Sequence, residues 1–150
     1  HGGASSSPWI EAYNTGVAKI RLNSFKKYLD LQKLKVSSVL EIGPGQGYLM
    51  QEFKNQKPDL DYYVVESDTS VHENLKRHGA TVIDATDVVT IQPVDAVIAT
   101  HVLEHTMDPI GFLRHFISVL RPGGAIFIET PCLDHKYKDM HEPHVLFFEK

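Results

Sequence analysis

The sequence predicts a doubly wound α/β fold, a parallel sheet with helices on both faces. Three observations predict it. Five short runs rich in β-branched and aliphatic residues, at 37–43, 61–66, 80–84, 94–100 and 124–130, are separated by helical patterns. The runs are nearly continuous in apolar residues, as a sheet covered on both faces requires, whereas a one-sided sheet would alternate. The chain also shows no internal repeat and no linker, and its 150 residues suit one domain that buries roughly two thirds of its unfolded surface.

Each element has its own justification. Residues 1–13, opening HGGASSSP, read as a flexible leader or tag remnant, set apart from a domain at 14–150. Asn14 or Thr15 is the expected N-cap of an amphipathic helix whose stripe is Ala18, Leu22, Phe25 and Leu29, widened by Tyr28. SSVLEIG forms the first strand and runs into a glycine cluster that opens the next helix; DYYVVE, ATVID and VDAVIAT follow as strands two to four. A helical stripe of Ile110, Leu113, Phe116, Ile117 and Leu120 then stops at RPGG (121–124), where Pro122 and two glycines end the helix and turn the chain into the fifth strand, GAIFIET.

Composition narrows the function classes. With 42% apolar and 23% charged residues the chain matches ordinary globular proteins, and no window approaches the roughly 20 apolar residues of a membrane span. A formal charge of −4 gives no broad surface for phosphate backbones, so nucleic acid is a poor first partner. The single cysteine, Cys132, excludes an intramolecular disulfide framework, and no signal-peptide pattern opens the chain, so a reducing cytoplasm is the default expectation.

The chemistry-bearing motif follows the first strand: EIGPGQGYL, with glycines at 43, 45 and 47. Glycines there let the backbone turn tightly and approach a ligand, and the following helix aims its N-terminal amides at the same place. The dinucleotide fingerprint G-x-G-x-x-G fails in both registers, because Tyr48 or Met50 stands at the third glycine position, which argues against nicotinamide or flavin cofactors. Glu41 precedes the glycines, and Glu66 closes the second strand about twenty residues on, where a carboxylate can accept a ribose hydroxyl pair.

VLEIGPGQGYLM, VVESD, VIDATDV, VDAVIATHVLEHTMDP and FLRHFISVLRPGGAIFIETP together resemble the class I S-adenosylmethionine-dependent methyltransferases, over Val36 to Pro131. The resemblance implies a Rossmann-like strand order 3-2-1-4-5, S-adenosylmethionine as cofactor and S-adenosylhomocysteine as product. It implies that Glu41, Gly43, Gly45 and Gly47 line the methionine and ribose side. Glu66 would hold the ribose hydroxyls, with Ser67 beside the adenine, and Asp84 and Ala85 would meet the adenine edge. Thr100 and His101 would lie under the methionine moiety. The family's last two strands have no counterpart before Lys150, so C-terminal truncation is expected, along with an open edge beside the fifth strand that invites homo-oligomers.

His101, Glu104 and His105 form H-x-x-E-H, which inverted zinc peptidases place on a helix. Here the motif starts at the carboxyl end of a strand, so the peptidase context is missing. Two functional readings stay open. In one, His105 is a general base, since imidazole with an ordinary pKa of about 6.5 suits proton removal from a hydroxyl near neutral pH. In the other, Glu104 and His105, with His101 and a histidine from MHEPH, bind a metal. Metal-dependent RNA-end and ubiquinone-pathway methyltransferases are similar here, although they often carry glutamate where this chain has His101. A third reading has His105 merely capping the next helix or bonding to backbone.

The segment after the fifth strand is polar and histidine-rich, as an active-site loop would be. HEPHVLFF (141–148) resembles the stretch that in sugar C-methyltransferases sets a histidine over the transferable methyl, which makes His144, assisted by Glu142, a second candidate base. Cys132 reads as a small packing residue, because methyl transfer needs no enzyme thiol. The expected activity is methyl transfer to an oxygen or carbon of a small-molecule acceptor, with no resident metal assigned. The rivals are a cofactor-binding module without activity and a metal-dependent nucleic-acid methyltransferase; turnover, chelation and salt-sensitive RNA binding separate them.

Overall fold

The computed structural model describes residues 7–131. Its centre is one parallel sheet of β1 (Ser38–Ile42), β2 (Asp61–Val65), β3 (Thr81–Val82), β4 (Val94–Thr100) and β5 (Leu120–Glu129), in the order β3-β2-β1-β4-β5. This is the expected Rossmann-like order. Four helices accompany it: α1 (Pro8–Gln32), α2 (Tyr48–Gln56), α3 (His72–Arg77) and α4 (Pro109–Ile117). Among the described residues, no helix is long and apolar enough to cross a membrane.

Alternation along β1 separates two cores. Val39 packs with Phe25 of α1, Phe53 of α2, Leu75 of α3 and Tyr62 on one face of the sheet. Leu40 and Ile42 pack with Val88, Phe116 and Val119 on the other. All five residues of β1 are buried, which follows from a central strand covered on both sides. The first core is knit by aromatic edges: Phe25 meets Phe53 at 5.8 Å and Phe127 at 5.5 Å between ring centres.

Several expectations need correction. Helix α1 begins at Pro8, with Ser7 as N-cap, and not at Asn14 or Thr15, so residues 8–13 of the supposed leader are helical. Proline is favoured at the first helical position because its φ is already helical and its missing N–H would be unpaired there anyway. Tyr28 lies 46% exposed, off the buried stripe, and Ile110 is 62% exposed. Phe112 and Phe116, with rings 4.7 Å apart, fill that side of the core in place of Ile110.

Leu120, finally, belongs to β5 and not to α4, and it pairs with Val94. The RPGG stretch is an irregularity inside the strand, where the register shifts between Val94 and Ala96. Gly123 adopts φ +78, and a Cβ on Gly124 would come within 2.8 Å of the Asp95 carbonyl oxygen. Asp95 ties this corner together. Its Oδ2 accepts from the backbone and hydroxyl of Ser37 and of Ser38, and its Oδ1 from Arg121. Burial works against the charged form, yet those bonds hold the Asp95 carboxyl below its usual pKa.

Candidate active site

Strand order reverses between β1 and β4, so their carboxyl ends diverge around a crevice, the place where open parallel sheets bind ligands. The loop from β1 to α2 passes through it with φ of +66, +53 and +77 at Gly43, Gly45 and Gly47. Gly47 is also the N-cap of α2, and a Cβ there would lie 2.6 Å from Leu75 Cδ2. At Gly45 a Cβ would meet nothing within 4 Å, so backbone alone faces open space, as close approach of a ligand requires.

Glu66, just past β2, grips this loop. Its Oε2 accepts from the Gly45 amide at 2.9 Å, and its Oε1 accepts from the Asp68 amide at 2.9 Å and the Ser67 hydroxyl at 3.5 Å. Asp84 is the N-cap of the 3-10 turn 85–90, and both Asp84 and Ala85 are exposed. The Ala85 carbonyl is held by His115 Nε2 of α4 at 2.6 Å.

Glu41 points from β1 toward α1 and is 2% exposed. Tyr62 donates its hydroxyl to Glu41 Oε2 at 2.8 Å. Burial pushes the Glu41 carboxyl up to about 7; the Tyr62 hydrogen bond and the Arg21 charge oppose the rise, and Glu66 adds to it. Burial, reinforced by Glu41, also holds the Tyr62 hydroxyl well above its usual value.

A row of charged groups crosses the ends of β4 and β5. Arg21 of α1 donates from Nε to both oxygens of Glu129, at 3.0 and 2.9 Å, and its Nη2 also contacts Oε1. That hydrogen bond, above all, holds the Glu129 carboxyl below its usual pKa against a smaller opposing effect of burial. His101 Nε2 meets Glu129 Oε1 at 2.9 Å, and its Nδ1 lies 3.4 Å from Glu104 Oε1. His101 adopts φ +55, rare for a residue with a Cβ, and its backbone N–H donates to the Glu129 carbonyl at 2.9 Å. Glu104 is 1% exposed, and neither of its oxygens has a hydrogen-bond partner among the described residues.

By position in the chain, Gly43, Gly45, Gly47, Glu66, Ser67, Thr100 and His101 stand at or just past the carboxyl ends of β1, β2 and β4, with Asp84 and Ala85 just past β3, while the side chain of Glu41 in β1 is buried against Tyr62. His105 is exposed on the 3-10 turn Leu103–His105 beyond β4, so H-x-x-E-H does not lie on an α-helix. Asp108 is the N-cap of α4, its side chain accepting from the Gly111 amide at 2.9 Å. Among the described residues no group of three or more His, Cys, Asp or Glu side chains could hold a metal. The candidate base His144, with Glu142, and Cys132 lie outside the described residues.

A family model described as a methyltransferase domain matches residues 16–149. The chain belongs to this family. The tRNA U34 carboxymethyltransferase of Campylobacter curvus is 28% identical over 126 residues, covering 77% of this chain and 40% of that protein. A ubiquinone biosynthesis O-methyltransferase of Parvibaculum lavamentivorans is 47% identical over 36 residues, or 24% of this chain and 14% of that protein. The plantazolicin methyltransferase BpumL in complex with SAH superimposes with a TM-score of 0.72 at 19% identity, covering 92% of this chain and 62% of that one. Coclaurine N-methyltransferase bound to N-methylheliamine and SAH gives 0.61 at 20% identity, covering 74% and 36%. At such identities the structural likeness speaks to the fold alone. This chain spans 40% and 36% of the lengths of the two tRNA carboxymethyltransferases it matches.

Within this methyltransferase domain, sequence reasoning passed over Arg21, Tyr62, His115 and Glu129. One signal was readable: acids stand at or next to the carboxyl ends of β1, β2 and β5, as Glu41, Glu66 and Glu129. Arg21, one residue before buried Leu22, meets the last of these, Glu129, while backbone amides hold Glu66 and the Tyr62 hydroxyl holds Glu41. A separate cavity of about 230 Å³ is bounded by Leu22, Leu29, Val36, Phe53 and Leu60. It lies at the amino ends of β1 and β2, away from the methyltransferase crevice.

Proposed function

We propose that this domain binds S-adenosylmethionine between the glycine loop and Glu66 and catalyses methyl transfer to an oxygen or carbon of a small-molecule acceptor. The observation that carries the reading is the Glu66 carboxylate fixed against Gly45. Backbone amides orient both of its oxygens. Each oxygen keeps acceptor capacity for one hydroxyl of a ribose pair. Gly45 leaves open space beside it. Glu41, Gly43 and Gly47 complete the loop side, Ser67, Asp84 and Ala85 face the base, and Thr100 and His101 face the methionine end. SAH in the BpumL and coclaurine N-methyltransferase structures supports the choice of cofactor.

When bound, the cofactor supplies an electrophilic methyl group on a sulfonium. The chain's own task is positioning, since holding reacting groups in line accounts for much of such a rate enhancement. His105, on the 3-10 turn beyond β4, takes the proton from an acceptor hydroxyl at a ring nitrogen, and His144 is the alternative base. The net charge of −4 favours a small acceptor over a nucleic acid. A second reading, an RNA acceptor, draws on the tRNA carboxymethyltransferase that matches 77% of the chain. RNA binding that weakens steeply with salt would support it, and salt-independent or absent binding would remove it.

Calorimetric titration with S-adenosylmethionine and S-adenosylhomocysteine, with NAD as control, tests the cofactor site. Both sulfur compounds should bind and NAD should not, and Glu66→Ala should lower affinity at least about tenfold, which is about 1.4 kcal/mol. A folded chain that binds neither compound, or a Glu66→Ala variant that binds as well as the original, would overturn the reading.

A further inference from the structure

The 3-10 turn 85–90, which follows β3, is anchored by a residue far from it in the chain. Asp84, Ala85 and Thr86 are exposed, and within 84–90 only Val88 is buried. The turn's own hydrogen bonds are local. The Asp87 amide donates to the Asp84 carbonyl at 3.0 Å, the Thr90 hydroxyl to the Asp87 carbonyl at 2.7 Å, and the Ile91 amide to the Val88 carbonyl at 3.3 Å. Hydrogen-bond geometry in 3-10 segments is poor, so such a turn depends on support from its surroundings. His115 of α4 gives that support across 30 positions, donating from Nε2 to the Ala85 carbonyl at 2.6 Å. A carbonyl only accepts, so Nε2 carries a hydrogen, which both one neutral tautomer and the imidazolium supply.

The place of His115 is itself fixed. Its neighbour Phe116 is 3% exposed, in the same core as Val88, so helix and turn share one packed face of the sheet. The half-buried His115 ring stands edge-on to the Phe116 ring, with centres 5.0 Å apart and planes at 75°. The Ser118 hydroxyl holds the His115 carbonyl at 2.6 Å.

Asp84 is the second, independent observation. It occupies the N-cap position of the turn, where an aspartate commonly accepts from an amide of the first turn, yet its side chain makes no cap bond. Restraint of the turn's first residue has passed to His115, and the Asp84 carboxylate is left to accept from a donor outside the chain. The next peptide is set by the same bond. A trans peptide turns its carbonyl and its N–H to opposite sides, so holding the Ala85 carbonyl toward α4 turns the Thr86 N–H away from it. The opening amides of such a turn have no partner within it and face outward for one.

We propose that His115 is a positioning residue for recognition of the adenine base: by holding the Ala85 carbonyl it fixes the Asp84 carboxylate and the opening amides of the turn against the base edge. The proposal rests on the crevice being the S-adenosylmethionine site, and it assigns base selectivity to a side chain that does not itself touch the base.

Calorimetric titration with two compounds tests it. One is S-adenosylhomocysteine; the other is its analogue with unsubstituted purine in place of adenine, which lacks the amino group that Asp84 accepts from. The original chain should bind the first at least about tenfold more tightly, as expected for a hydrogen bond to a charged acceptor. His115→Phe keeps the edge contact with Phe116 and removes the donor. It should weaken S-adenosylhomocysteine several-fold and the purine analogue far less, so that the ratio of affinities falls toward one. His115→Gln, whose side-chain amide donates from nearly the same place, should restore the ratio. Asp84→Ala should lower the ratio as His115→Phe does, and the double variant should lose nothing more, since residues that act as a unit are not additive. A side chain that merely stabilised the fold would weaken both compounds alike. An original chain that binds neither compound removes the cofactor reading and this proposal with it. A ratio near one in an original chain that does bind, a ratio that His115→Phe leaves unchanged, or effects of His115→Phe and Asp84→Ala that add overturns this proposal and leaves the cofactor reading standing.

Discussion

Glu41 has a thermodynamic consequence that follows from its place in the core. Folding raises its pKa from 4.5 to about 7, chiefly by burial, so the folded state binds the proton more tightly than the unfolded one. This contribution to stability is fully present below about pH 4.5 and is lost as pH rises through 7. At about 1.36 kcal/mol per pH unit the loss is on the order of 3 kcal/mol. Urea unfolding at a series of pH values should show this decline in the original chain and a flatter profile in Glu41→Gln; equal slopes would remove Glu41 as its source. At this scale the positions of Glu41, Glu66 and the three glycines beside strand ends were legible, because each occupies a motif position next to an apolar run. Their partners were not. Arg21 reaches Glu129 across 108 positions, and His115 reaches the Ala85 carbonyl across 30, and no local pattern encodes a bond between distant elements.

Among the elements, β1, β2 and β4 were legible to within a residue, since central strands announce themselves by continuous apolar runs. Helix α1 and strand β5 were misjudged at their starts. Polar Ser-Pro looked like a leader, although proline is suited to a first helical turn, and RPGG looked like a turn, although Asp95 and Arg121 hold it inside a strand. Gly124→Ala tests the second point. The added methyl would collide with the Asp95 carbonyl and Leu120, so thermal unfolding should report a loss of about 1–3 kcal/mol. An unchanged midpoint would mean that the irregularity has room to spare.

For the whole molecule, the doubly wound plan was legible in the five continuous apolar runs and the helical patterns between them, and the strand order in the resemblance to class I methyltransferases. Protection should follow the same plan. Amide hydrogen exchange should be slowest in β1 and β4, which are buried and paired on both sides, and fastest in the two-residue edge strand β3. Fast exchange in β1 would contradict that order. The Arg21 to Glu129 pair also has a meaning for the chain as it is made. At synthesis rates of about 5–20 residues per second, Glu129 leaves the ribosome on the order of ten seconds after Arg21. During that interval α1 has no β5 to close against, and its apolar side is open to chaperones and to neighbouring nascent chains. Helix α1 is thus secured long after it is made, and ribosome-bound chains stalled before Glu129 should show it as readily cleaved by protease.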